Sequence, residues 1–178
     1  MIKIVPWADR KLSMKNWRKI WNLFPYGEIC MTEIDNEWEH QNWAEKIARY
    51  YVTRGREFSV EINPVQCYNL LNTLLEIGVK KFYFPWKGAK RDCLFSAFDV
   101  LVIAQDIMQR YPDVQIVIIY EIIYKEKPPD MDMVQTSIFT MCKMTEKYDN
   151  IELLFRYPHP WSGRKRGRGL KRIREWID

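Results

Sequence analysis

Apolar and polar positions along this chain follow two periods. Ile2–Trp7 reads as a short strand, and Ser13 caps a helix to about Phe24 whose Met14, Trp17, Trp21 and Phe24 share one face. Pro25-Tyr26-Gly27 stops that helix, and Glu28–Ile34 reads as a second strand. Asp35 or Asn36 opens another helix, with Ala44, Ile47, Ala48 and Tyr51 at helical spacing and Gly55 beyond its end.

From residue 57 the pattern sharpens. Glu57–Ile62 is a strand. Asn63 followed by Pro64, with Gln66 at capping-box spacing, starts a helix. Its stripe is Cys67, Leu70, Leu71, Leu74 and Leu75, and Gly78 ends it. Lys80–Trp86 is the next strand, and Asp92 caps a long helix that ends before Pro112. That helix is apolar on several faces, which predicts cover on several sides. Val114–Tyr124 is a continuous apolar run, as in a parallel strand buried on both faces. Asp130 opens a helix to about Tyr148, and Ile151–Tyr157 is the last strand.

Strand and helix alternate over residues 57–157, which implies a parallel sheet with right-handed crossovers. The expected fold is α/β: a three-layer Rossmann-like domain with a mainly parallel sheet of about five to six strands. Residues 1–161 form one domain, with 1–56 as a β-α-β-α extension and 57–161 as the parallel core. Residues 162–178 form a basic C-terminal tail. At 178 residues the chain is long enough to bury a core, and an aromatic share of 15% argues against disorder.

Charge separates the tail from the rest. Residues 164–174 hold seven of the 28 basic residues and no acid, so 21 basic and 23 acidic residues remain elsewhere. Such segregation suggests an anionic partner. The four cysteines form no C-x-x-C pair, and Cys67 and Cys142 fall on apolar helix sides, so buried free thiols are expected. Met1 leads straight into a strand-like run and no apolar run is long enough to span a bilayer, so a cytoplasmic protein without a membrane partner is expected.

Two segments at the carboxyl ends of the predicted strands carry candidate chemistry. Lys87, Gly88, Lys90, Arg91 and Asp92 form a loop leading into a helix N-terminus, a setting suited to phosphate. In the tail, Arg164, Lys165, Arg166, Arg168, Lys171, Arg172 and Arg174 would neutralise phosphates, while Trp86, Tyr157 and Trp161 offer stacking faces. In a helix the tail's Leu170, Ile173, Trp176 and Ile177 would form an apolar stripe that docks it. The acidic run Glu33, Asp35, Glu37 and Glu39 with His40 reads as a solvated surface pattern, so no metal is expected. Only His40 and His159 are present, no Walker, G-x-S-x-G or zinc pattern occurs, and no catalytic residue or cofactor is assigned.

Leu74-Leu-Glu-Ile-Gly-Val79, Phe82-Tyr-Phe84, Gly88 to Asp92, Arg110-Tyr-Pro-Asp113 and Val114 to Tyr120 together resemble the YpsA-like members of the SLOG-like Rossmann-type domains. The resemblance covers residues 68–121 and lacks the double glycine, with Pro85-Trp86-Lys87 in its place. It implies a nucleotide-type ligand at Gly88, Lys90, Arg91 and Asp92. The leading functional expectation is a non-catalytic protein that binds RNA or single-stranded DNA, of the kind a mobile element carries. Alternatives are a SLOG-like nucleotide-binding domain or enzyme, and an inhibitor that masks another protein through its acidic surface.

Overall fold

The computed structural model describes residues 7–9, 14–23, 28–34, 38–87, 93–121 and 131–156. In chain order the elements are β1 (Trp7–Asp9), α1 (Met14–Leu23), β2 (Ile29–Ile34), α2 (Trp38–Val52), β3 (Phe58–Ile62), α3 (Tyr68–Ile77), β4 (Lys81–Lys87), α4 (Cys93–Arg110), β5 (Gln115–Glu121), α5 (Met131–Thr145) and β6 (Ile151–Arg156). The alternation expected from the sequence is present throughout. Two expected strand segments, 2–6 and 122–124, fall outside the described residues.

Local chemistry sets the ends of α3. The Asn63 side-chain oxygen accepts from the Val65 and Gln66 amides, both at 3.1 Å, and the Asn63 carbonyl accepts from the Cys67 amide. The predicted cap thus organises the turn that leads into the helix, and α3 starts one turn later at Tyr68. At the other end Gly78 adopts φ +99° and its amide and that of Val79 return to the Leu75 and Leu74 carbonyls. Only glycine takes that left-handed conformation without strain.

The six strands form one sheet in the order β1-β2-β3-β4-β5-β6, parallel at every pairing. This is the α/β fold with a parallel sheet that the alternation implied. The order itself has no local sequence signature. A doubly wound sheet reverses direction at a switch point, but here each crossover steps one strand the same way. Right-handed crossovers that never reverse place their helices on one face.

Side-chain burial follows that topology. Ile29 and Met31 of β2, Phe58, Val60 and Ile62 of β3, Phe82 and Phe84 of β4, Ile116 and Ile118 of β5 and Ile151 of β6 share one cluster with residues of all five helices. The opposite parity gives a separate small cluster of Cys30, Tyr83, Val117 and Ile119, to which no described helix contributes. A second helical layer is not among the described residues. Among the described side chains of α4, Leu101, Ala104 and Ile107 are buried, while Val102 is 60% exposed.

An aromatic group closes the α1 end of the core. Trp17 meets Tyr51 and Phe58 edge-on at 5.8 and 6.4 Å between centroids, and Tyr51 stacks on Phe58 at 5.2 Å. The Tyr51 hydroxyl donates to the Trp17 carbonyl at 2.6 Å, tying α2 to α1. Each such ring buried from water contributes about 1.5–3 kcal/mol.

Candidate functional site

The face of the sheet that no described helix covers carries the polar chemistry. Strand periodicity puts Cys30, Ser59, Lys81 and Gln115 in one row across it, and Glu61, Tyr83, Val117 and Glu152 in the next. Glu28, just before β2, turns its buried carboxylate into the first of these rows. It accepts from the Ser59 hydroxyl at 2.6 Å, the Tyr83 phenol at 2.8 Å and the Lys81 ammonium at 3.0 Å.

These bonds decide the ionisation state. Burial alone would raise the Glu28 pKa, but the hydrogen bonds from Ser59, Lys81 and Tyr83 outweigh it and hold the carboxyl below its ordinary value. Tyr83 moves the other way, pushed up by burial and by the adjacent carboxylate. Burial, with the Glu61 and Glu28 carboxylates, pushes the Cys30 thiol up to about 12. Cys30 is therefore a neutral thiol and a poor nucleophile at neutral pH. The cluster is a structural network centred on one carboxylate that is ionised at neutral pH.

Beside it, at the amino-terminal edge of the sheet, lies an open pocket of about 400 Å³. The ends of α2 and α3 form one wall through Val52, Gly55 and Gly78, and the starts of β3, β4 and β5 form the other. Val52 and buried Phe58 supply apolar surface; Arg56, Lys80 and Lys81 supply positive charge; Glu28, Glu57 and Asp113 supply negative charge. Lys81 is engaged with Glu28 at the inner end, whereas Lys80 meets Asp113 at only 3.5 Å with both side chains largely exposed. A solvent-exposed pair of that kind contributes little and yields readily to a competing anion.

The sequence-derived site residues fall elsewhere. Trp86 and Lys87 are the last residues of β4, paired in register with Tyr120 and Glu121 at the carboxyl edge. Gly88, Lys90, Arg91 and Asp92, together with Tyr157, Trp161, Arg164, Lys165, Arg166, Arg168, Lys171, Arg172 and Arg174, lie outside the described residues. Of the acidic run, Glu33 ends up in β2 and Glu39 with His40 in α2. Among the described residues no group of three or more His, Cys, Asp or Glu side chains is placed to hold a metal. No described helix is long and apolar enough to cross a membrane. Cys67 is buried as expected, and Cys142 is only partly covered.

Sequence reasoning missed Glu28, Ser59, Lys81 and Tyr83 as a unit, because up to 55 positions separate the partners. It also passed over Arg56 and Lys80, which singly look like ordinary surface cations.

No family model matches the chain. Over 100 residues it is 27% identical to human hematopoietic prostaglandin D synthase, covering 55% of this chain and 47% of that protein. The chain thus spans about half the length of the curated relative it matches. This similarity, to a protein named a prostaglandin D synthase, corrects the expectation of a nucleic-acid-binding function.

Proposed function

We propose that this chain binds a small organic acid with an apolar body, of the prostaglandin class, in the pocket between the ends of α2 and α3 and the starts of β3–β5. The observation that carries the reading is the pocket's composition: apolar Val52 and Phe58 lie beside the cations Arg56 and Lys80. A volume of about 400 Å³ falls within the usual range for small-molecule sites. The acid's hydrocarbon body packs on Val52 and Phe58. Its carboxylate displaces Asp113 from Lys80 and pairs with Arg56. The partial similarity to a prostaglandin D synthase supports the same ligand class.

The test is equilibrium binding of prostaglandin D, run on the full chain beside a Lys80→Glu, Arg56→Glu double variant. The reading expects saturable binding to the unmodified chain and a loss of at least about tenfold in the double variant, since each reversal replaces attraction with repulsion at close range. No binding to the unmodified chain, or equal binding to both, would overturn the reading.

A further inference from the structure

We propose that the pocket selects acids that carry a single negative charge, because Glu28 holds the inner cation Lys81 away from the ligand. The inference rests on the organic-acid reading above and names the class of acid that fits. Three cations line the pocket: Arg56, Lys80 and Lys81. The first two are the anchors already assigned to one carboxylate. Lys81 is held differently. Its ammonium meets the Glu28 carboxylate at 3.0 Å, with side chains 20% and 3% exposed, and lies 5.3 Å from the centre of the Tyr83 ring.

Burial makes the Lys80–Asp113 and Lys81–Glu28 pairs unequal. Asp113, displaced from Lys80, goes back to water, because both side chains of that pair are largely exposed. Glu28 has no such exit. The Ser59 hydroxyl at 2.6 Å and the Tyr83 phenol at 2.8 Å also donate to it, which fixes the carboxylate to β3 and β4. An anion that took Lys81 would leave a buried carboxylate without its cation, a change that costs far more than an exposed pair returns.

The remaining charge in the lining acts in the same direction. Glu57, just before β3, adds a carboxylate. The helices α2 and α3 bring their carboxyl ends to the pocket, at Val52 with Gly55 and at Gly78, and with them the partial negative charge of a helix C-terminus. Arg56 and Lys80 offset this charge for one carboxylate. A second carboxylate would lose its water and find no cation in exchange, whereas an uncharged far end loses nothing comparable.

The experiment is calorimetric titration of decanoate and decanedioate, acids of equal chain length with one carboxylate and with two, at neutral pH. They are titrated into the unmodified full chain and into its Glu28→Gln and Lys81→Met variants. The unmodified chain should bind decanoate at least about tenfold more tightly, as expected when a charged group is desolvated without a partner. Glu28→Gln releases Lys81 to the second carboxylate and should remove most of that preference. Lys81→Met leaves Glu28 uncompensated and should widen it. Desolvation of the second carboxylate alone would give the same preference in every variant. The two variants break the pair from opposite sides, so one that folds is sufficient. Equal binding of the two acids by the unmodified chain, or a preference unchanged in a folded variant, overturns the proposal. No binding of either acid to the unmodified chain overturns the organic-acid reading itself, and this inference with it.

Discussion

Tyr83 and Glu28 lie 55 positions apart in sequence, yet the phenol of one donates to the carboxylate of the other at 2.8 Å, on the sheet face that no described helix covers. The bond spans three strands of a sheet whose order follows the chain, so it reports directly on the pairing of β2, β3 and β4. Removing the acceptor leaves Ser59, Lys81 and Tyr83 without it at once. Glu28→Ala should cost about 3–5 kcal/mol, the usual penalty for breaking a buried ion pair on one side. Tyr83→Phe, which removes one donor of three, should cost about 1 kcal/mol. Urea unfolding of both variants checks the ranking.

The same carboxylate sets an acid limit on stability. Its folded pKa lies below the unfolded value of 4.5, so the folded state releases that proton more readily than the unfolded state. The stabilisation is complete above about pH 4.5 and is lost as pH falls through the folded pKa. Unfolding midpoints measured from pH 7 downward should fall below about pH 4.5, and Glu28→Gln should remove part of that slope while lowering the plateau.

Gly78 offers a test of backbone strain without a packing change. A Cβ there would meet Val52 Cγ1 at 3.5 Å, an ordinary contact, so the cost of Gly78→Ala comes from the positive φ of +99°. That cost should be about 1 kcal/mol. Leu74→Ala, three residues before the end of the same helix and fully buried, should cost about 2–5 kcal/mol. Thermal unfolding of the two variants compares them.

Cysteine labelling in the native state should follow burial. Cys30 is enclosed and its thiol is pushed up to about 12, and Cys67 is buried, so both should resist iodoacetamide for hours at pH 8. Cys142 is partly covered, with its pKa raised by burial and by Glu146, and should label slowly but first among these three. Peptide-level mass spectrometry over time gives the order.

Much of the fold was legible in the sequence because its signals are local. Asn63 and Gly78 mark the limits of the turn and helix between β3 and β4, and the apolar stripe Leu70, Leu71, Leu74, Leu75 sits on the sheet as its spacing required. Lateral strand order has no such signal, since a crossover to either side uses the same residues. A clue to the polar face was nevertheless present. Phe58-Ser59-Val60-Glu61-Ile62 alternates apolar and polar residues, whereas strands covered by helices on both sides read as continuous apolar runs. The pocket was not legible, because Arg56 and Lys80 gain meaning only when the ends of α2 and α3 meet the starts of β3–β5.

The central claim is that Arg56 and Lys80 make the pocket an organic-acid site, and calorimetric titration of prostaglandin D into the full chain tests it most directly. The account predicts saturable one-to-one binding that weakens about tenfold or more in Arg56→Ala, Lys80→Ala, with the unliganded variant still unfolding in one cooperative thermal transition. Absence of binding to the unmodified chain, or binding that is unaffected in the double variant, would contradict it.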